Sequence, residues 1–281
     1  MPELPEVETI VRELRPQLLG CRMTRIRVGE KTLRRSLDLD RVPDLTGKRI
    51  VDLSRRGKWI VIRLEKNLIL LFHLGMTGQL TIVAREQPAL PHTHLIADLE
   101  ARSRRMPRDK FQLRFRDVRR FGCIMLFPNV SELQTFFEDS GLGPEPFGME
   151  PSYWRGYLAG TNRCLKAVLL DQRVLAGVGN IYSDEALFEA RLHPNRVGSS
   201  VGSREASRLH RAILTVLNRA IDKRGSSIRD YVSGNGRQGK YQQEFRVYGR
   251  AGQPCPRCRR PIRRILLAGR STHYCPACQQ W

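Results

Sequence analysis

Two sets of residues in this chain have the types and spacing to do chemistry. The first is the opening run Met1-Pro2-Glu3-Leu4-Pro5-Glu6-Val7-Glu8. Removal of Met1 would leave Pro2 with a free secondary amine. Such an amine attacking a sugar aldehyde forms a permanently cationic iminium, a strong electron sink, and Glu3 beside it is a proton source. The amine must be neutral to attack, and α-amino groups titrate near 8, about two units below lysine. The same run also reads as a helix start, with Pro5 at the first helical position and acids against the positive end of the dipole. The octet alone supports either reading. The second set is Cys255-Pro-Arg-Cys258, then sixteen residues, then Cys275-Pro-Ala-Cys278. Paired Cys-x-x-Cys at this separation is a four-thiolate zinc site. Four protein sulfurs leave no open position, so the metal is structural and not catalytic.

These residues need a scaffold, and hydrophobic periodicity supplies its outline. Val7, Ile10, Val11, Leu14 and Leu18 recur at helical spacing, so an amphipathic helix follows Pro5 and anchors the chain start. Pro16 is expected to end or bend it. Residues 50–53, 59–64, 68–72, 79–83, 95–99, 111–115 and 123–127 are β-rich runs parted by Gly, Asn or charged turns. About eight short strands with little helix between them indicate a β-sandwich or barrel. Residues 141–148, rich in Gly and Pro, read as a hinge, after which 165–170, 181–192 and 203–223 turn helical. At the start of the last run, Glu205 favours the first turn, although Ala206 deprives Ser203 of a capping-box acid. The Gly-rich stretch 225–240 is too polar to pack well and reads as a mobile loop.

Composition narrows the partner. The chain has 281 residues, enough for two domains, and 49 basic against 28 acidic side chains give a formal charge of +21. That excess calls for a polyanion, nucleic acid first and a membrane surface second. No run approaches 18 apolar residues and no apolar signal core opens the chain, so a soluble, intracellular protein is expected. Four of the seven cysteines sit at the C-terminus, and Cys21, Cys123 and Cys164 read as scattered core residues, not a disulfide framework.

Several turns carry groups suited to nucleic acid. Residues 251–281 contain six Arg and no acid, and Gly269-Arg270 lies where a hairpin would project Arg270 outward. Gly177-Val-Gly179-Asn180 lacks the third glycine of a dinucleotide loop. It fits a helix N-terminus that admits a phosphate, assisted by Asn180. Met76 sits in the tight turn His73-Leu-Gly-Met-Thr-Gly78, where an apolar side chain either packs or wedges between bases. Arg119 and Phe121 offer a cation and an aromatic at a second turn.

Taken in order, residues 2–9, Arg56-Gly57-Lys58, 73–78, 119–122, 177–182 and the cysteine ribbon resemble the bacterial formamidopyrimidine-DNA glycosylase family, which includes the endonuclease VIII relatives. The resemblance covers essentially the whole chain. It implies an α+β multidomain fold: an N-terminal helix with a β-sandwich, a helix–two-turn–helix domain and a C-terminal four-Cys zinc finger. The corresponding divisions are a catalytic domain at 1–132, a hinge linker at 133–149, a helical DNA-binding domain with a lesion-capping loop at 150–245, and the finger at 246–281. DNA would lie in the cleft between domains.

The resemblance also implies roles. Pro2 is the nucleophile at the deoxyribose C1′ and Glu3 protonates the sugar ring oxygen. Lys58 contacts phosphate and donates the proton in β-elimination, while Arg270 grips the lesion phosphates and assists δ-elimination. His73, Lys166 and Asn180 are implied phosphate ligands, and His92 and Arg119 further DNA contacts. Met76, Arg119 and Phe121 fill the gap left by the extruded base, offsetting the few kcal/mol that flipping costs. Cys255, Cys258, Cys275 and Cys278 hold one structural Zn2+. The implied protein is a monomeric, cytoplasmic, nucleoid-associated DNA glycosylase and abasic-site lyase of base-excision repair, with no membrane partner. It acts on double-stranded DNA containing oxidised bases or abasic sites. Leu4 and the long 225–240 loop favour oxidised purines. The alternatives are the oxidised-pyrimidine endonuclease VIII branch and a non-catalytic damaged-DNA binder. Two departures from the family pattern stand out: Val118 where Pro is commoner, and Thr161-Asn-Arg-Cys164 in place of a lysine-rich run. Segment 101–110 is longer and more basic than the resemblance implies, and no function is read from it.

Overall fold

A computed structural model of the chain describes residues 1–101, 111–227, 234 and 236–281. The expectations for the basic segment 102–110 and for most of the glycine-rich stretch lie outside the described residues. The chain divides into two compact units, one of residues 1–139 with 224–240 and the other of residues 140–223 with 241–281.

In the first unit, helix α1 (Leu4–Leu18) buries Leu4, Val7, Ile10, Val11, Leu14 and Leu18, the stripe the periodicity anticipates. Pro16 does not end the helix, which runs on to Leu18. It lies in the last turn, where Leu19 N–H still reaches the Arg15 carbonyl at 3.0 Å, so the missing N–H interrupts the ladder only locally. Strands β1 (Arg22–Val28), β2 (Ile50–Arg56), β3 (Trp59–Leu64), β4 (Ile69–His73), β5 (Gln79–Ala84), β6 (Thr93–Glu100), β7 (Phe111–Arg116) and β8 (Cys123–Phe127) follow, with one short turn of helix, α2 (Val42–Leu45). They form two antiparallel four-stranded sheets, ordered β1-β6-β7-β5 and β2-β3-β4-β8. The open choice between barrel and sandwich is therefore settled as a sandwich. Inward residues of both sheets meet in one core with α1, and the rings of Phe72 and Phe115 pack across it with their centres 5.5 Å apart.

Strands β3 and β4, WIVIRL and ILLFH, are apolar on both faces. The reason is a helix that periodicity left unassigned, α3 (Val130–Asp139), whose Leu133, Phe136 and Phe137 cover Val61, Ile69 and Leu71 from outside. A strand buried on both sides loses its alternation and reads as a continuous apolar run.

The second unit is helical: α4 (Pro151–Ala159), α5 (Leu165–Leu170), α6 (Asn180–Glu189) and α7 (Ser203–Asp222), followed by the hairpin β9 (Arg263–Leu267) and β10 (Arg270–Tyr274). Residues 141–148 are fastened to this unit, with Gly143 N–H donating to Gln172 O at 2.9 Å and Ala176 N–H to Pro144 O at 3.0 Å. The cap of α7 sits one residue earlier than expected. Gly202 is the N-cap, so Glu205 falls at the third helical position and accepts Gly202 N–H at 3.2 Å. Helix α6 is buried on all sides from Ile181 to Phe188, including Ser183, Asp184 and Glu185. Glu185 accepts the N–H groups of Arg246, Val247 and Tyr248 at 2.9–3.1 Å, which ties the segment leading into the hairpin to α6. Burial raises its pKa, against the lowering effect of those three donors. Among the described residues no helix is long and apolar enough to cross a membrane.

Replacing Glu185 with Ala would orphan those three amides, each costing about 1–3 kcal/mol when left unpaired. The variant should lose about 3 kcal/mol or more of stability in thermal unfolding, with Glu185→Gln intermediate. An unchanged melting temperature would show that the amides find other acceptors.

Candidate active site and metal centre

In the first unit the chain start is a fixed structural point. Pro2 is buried and Glu3 is 2% exposed, immediately ahead of α1. Glu6, at the third helical position, accepts Glu3 N–H with one carboxylate oxygen at 2.8 Å. Its other oxygen accepts Ser226 N–H at 2.7 Å and Ser226 Oγ–H at 3.0 Å. Gly225, at φ 72°, lets the chain pass, since a Cβ there would lie 2.8 Å from the Glu6 carboxylate. Glu6 thus joins residue 3 to the start of the glycine-rich stretch, a role the sequence reading assigned only to helix initiation.

Lys58 reaches the same unit by a different route. The loop Gly57-Lys58 connects β2 to β3 in two residues, with Gly57 at φ 57°, and Lys58 is 7% exposed. Arg55 ties this turn to α1, donating to Glu8 at 2.9 Å and to Gly57 O at 3.0 Å. Burial would raise the Glu8 pKa, but hydrogen bonds from Arg12 and Arg55 outweigh it and hold the carboxylate charged. Glu8 is therefore a clamp on α1.

The two turns bearing Met76 and Arg119-Phe121 are adjacent. Gly75 backs directly onto the Phe121 backbone, where a Cβ would come within 2.5 Å. Buried Asp117 knits the turns together: it accepts from Thr77 Oγ, from Arg119 N at 3.3 Å and from Gly122 N at 2.7 Å. Met76 and Phe121 remain 39% and 47% exposed, and the Arg119 guanidinium stacks 4.8 Å from the Phe121 ring centre. Val118 at the unusual position leaves this arrangement intact, because Asp117 and not a proline defines the turn.

His73 Nδ1 accepts Gly75 N–H at 3.0 Å, which places any ring proton on Nε2. Burial, then the charges of Lys58 and Arg34, push its pKa down to about 4. His92 sits at φ 67°, half-buried, on the loop whose carbonyl receives Asp117 N–H at 3.0 Å.

The second unit assembles the remaining residues. Asn180 opens α6 and its Nδ2 donates to Ser271 O at 3.1 Å, beside Arg270 on the hairpin. Its Oδ1 is buried without a hydrogen-bond partner among the described residues. Ala268 and Gly269 both take positive φ, 47° and 69°, giving a two-residue turn that leaves Arg270 exposed at the start of β10.

Lys166 is placed otherwise than the phosphate role anticipates. It is 0% exposed, and its ammonium donates to Asn180 O at 3.1 Å, Ser183 Oγ at 2.6 Å and the Asp184 carboxylate. Lys166 positions the start of α6 instead of presenting charge at the surface. Asp184, which the sequence reading did not single out, also accepts from His273 N at 2.9 Å and pairs with its Nδ1 at 3.1 Å.

The four cysteine sulfurs lie within 4.8 Å of one another, with Cys255–Cys278 at 3.9 Å and Cys258–Cys275 at 3.4 Å. Zinc–sulfur bonds of about 2.3 Å in a tetrahedron require S···S separations of about 3.8 Å. The cluster therefore fits one Zn2+ with a closed thiolate shell. Arg257 joins this module to α6, donating to Phe188 O at 2.6 Å and pairing with Glu189 at 3.0 Å.

Two outcomes follow from this geometry. Metal removal by a strong chelator should unfold the ribbon, since structural zinc contributes on the order of 10 kcal/mol to such modules. Loss of the hairpin amide signals, restored by added Zn2+, would report it. His73 has a folded pKa of about 4 against an ordinary 6.5, so the unfolded chain binds the extra proton as pH falls through that window. Stability from neutral His73 is complete above 6.5 and is lost toward 4. Urea unfolding at pH 7 and pH 5 should show the wild type losing about 1–2 kcal/mol more than His73→Gln.

Comparison with known proteins agrees with this architecture. Three family models match consecutively: the formamidopyrimidine-DNA glycosylase N-terminal domain at residues 1–124, its H2TH domain at 142–232, and the zinc finger found in FPG and IleRS at 252–280. The formamidopyrimidine-DNA glycosylase of Desulforamulus reducens is 43% identical over 288 residues, covering 100% of this chain and 99% of that protein. That of Heliobacterium modesticaldum is 43% identical over 286 residues, with 100% of both covered. Among solved structures, Lactococcus lactis Fpg (MutM) in complex with DNA containing N7-benzyl-Fapy-dG superposes with a TM-score of 0.89 at 36% identity over 100% of each chain. The same organism's Fpg with abasic-site DNA gives 0.88 at 35%, over 99% of this chain and 100% of that one. The sandwich, the helical unit and the four-thiolate ribbon are thus those of an enzyme of the formamidopyrimidine-DNA glycosylase family, to which this chain belongs.

Proposed function

We propose that this protein is a bifunctional glycosylase and abasic-site lyase that extrudes and excises oxidised purines, 8-oxoguanine and formamidopyrimidines, from double-stranded DNA. The observation that carries the reading is the buried Pro2-Glu3 pair at the start of α1, held by Glu6. DNA as the partner is supported by the solved relatives, which are in complex with DNA containing Fapy-dG or an abasic site on the same fold.

Once Met1 is removed, the Pro2 nitrogen donates its lone pair to C1′ and the C1′–base bond breaks with its electrons leaving on the base. The ammonium so formed loses its N–H proton through solvent to the departing base anion, Glu3 gives a proton to the ring oxygen as the ring C–O bond breaks, and the freed nitrogen lone pair closes a C=N⁺ bond. That cation acidifies the C2′ proton. Its loss expels the 3′ phosphate, with Lys58 as the proton donor, and a second elimination assisted by Arg270 releases the 5′ side. Met76, Arg119 and Phe121 replace the lost stacking, a role supported by their exposure on two abutting turns. His73, His92 and Asn180 are proposed DNA contacts, and Lys166 acts through Asn180.

Borohydride should trap a covalent adduct at Pro2 on an 8-oxoguanine duplex. No adduct there, with thymine glycol processed instead, would place the protein in the oxidised-pyrimidine branch. Glu3→Gln should retain lesion binding while base excision falls by about 10²–10⁴. An active Glu3→Gln enzyme would overturn the assignment of the acid. Intact mass decides the non-catalytic alternative, since retained Met1 blocks the amine.

A further inference from the structure

Within the second unit, α7 presents a row of cations that the proposed mechanism does not use. Arg204, Arg208 and Arg211 recur at i, i+4 and i+7, so they share one face of the helix, opposite buried Leu209, Ile213 and Val216. Arg155 of α4 faces them across an open cleft of about 450 Å³ completed by Ser203 and Ser207. Several other arginines of this unit meet acids: Arg163 and Arg173 pair with Asp171, Arg196 with Glu205, and Arg257 with Glu189. Among the described residues, only Arg208 of the cleft has such a partner, Glu205 at 3.5 Å, and Glu205 is already held by Arg196 at 2.6 Å. Arg155, Arg204 and Arg211 are exposed and make no hydrogen bond or ion pair with the described residues. Converging like charges without an internal counter-ion cost stability unless an external anion relieves them.

The position of the cleft separates it from the hairpin and Asn180. Arg208 Nε donates to Ala190 O at 2.7 Å, at the C-terminal end of α6, whereas Asn180 opens that helix. Ten residues of helix put the two ends about 15 Å apart. The row from Arg204 to Arg211 spans about 10 Å, long enough to follow a strand that carries one phosphate per about 3.4 Å of duplex axis. Guanidiniums are also the side chains best shaped to pair phosphate oxygens two at a time.

We propose that the Arg155–Arg204–Arg208–Arg211 cleft binds the phosphate backbone of a second DNA duplex, in addition to the one proposed to hold the lesion. Such a site would let the protein hold two segments at once and pass between them while searching. It rests on the reading of DNA as the partner but not on any catalytic step.

The test captures full-length, zinc-loaded protein on beads through an immobilised short duplex and measures recruitment of a second, fluorescent duplex. Wild type should recruit it. Arg155→Ala/Arg204→Ala/Arg211→Ala should recruit at least tenfold less, with single-turnover excision unchanged. The log–log salt slope for recruitment should fall by about 2.7 if each arginine neutralises one phosphate. A control of equal charge loss, Arg41→Ala/Arg63→Ala/Arg85→Ala, should recruit normally. Undiminished recruitment by the cleft variant, equal loss in the control, or no recruitment by wild type would each overturn the proposal. So would polyglutamate competing as well as duplex of equal charge, which would point to an acidic protein. Absent excision with intact recruitment would count against the proposed enzymatic activity alone.

Discussion

Buried carboxylates that accept main-chain N–H groups are the interaction on which the rest of this structure depends. Glu6 accepts from residues 3 and 226, Asp117 from residues 119 and 122, Asp184 from His273, and Glu185 from residues 246–248. Each one fastens an irregular segment to a regular one. An irregular segment cannot satisfy its own amides as a helix or sheet does, and a buried amide without an acceptor costs as much as a lost hydrogen bond. A charged acceptor in a low-dielectric interior is a strong one, and it accepts from more than one donor at once.

This explains how flexible-looking sequence holds exact positions. The chain start would be frayed in most proteins, yet Pro2 and Glu3 are buried because α1 packs on the sandwich and Glu6 reaches back to residue 3. The turns bearing Met76 and Phe121 expose apolar side chains while their backbones are tied through Asp117. Lys166 shows the opposite arrangement. Its charge is neutralised by Asp184 at 0% exposure for both, so its contribution is to the geometry of α6 and Asn180.

In the second unit, the zinc module and α6 form one mechanical element. A ribbon of about thirty residues has too little apolar surface to fold without its metal. Asp184, Glu185 and Arg257 then transmit its position to α6, and the hairpin turn places Arg270 one residue from the carbonyl that Asn180 holds.

Much was legible in the residues alone. The stripe of α1, seven of the eight sandwich strands, helices α5, α6 and α7 of the second unit and the four-thiolate cluster all follow from local period or spacing, because each signal is carried by neighbouring residues, whereas α4 was not read from the sequence. Helix α3 was missed because its apolar positions are few and its role, covering the outer face of β3 and β4, is a property of the sheet. Strand periodicity left barrel and sandwich open and the family resemblance implied the sandwich that the structure shows, whereas the shift of the α7 cap to Gly202 and the burial of Lys166 were decided only in three dimensions. So were the partners of Glu6 and Glu185, which lie 220 and about 60 residues away. Sequence by itself determined which groups could do chemistry and which segments form elements. The tertiary structure decided which charged groups face solvent and which are consumed internally, because burial and distant amides, not residue type, set what a carboxylate or an ammonium is free to do.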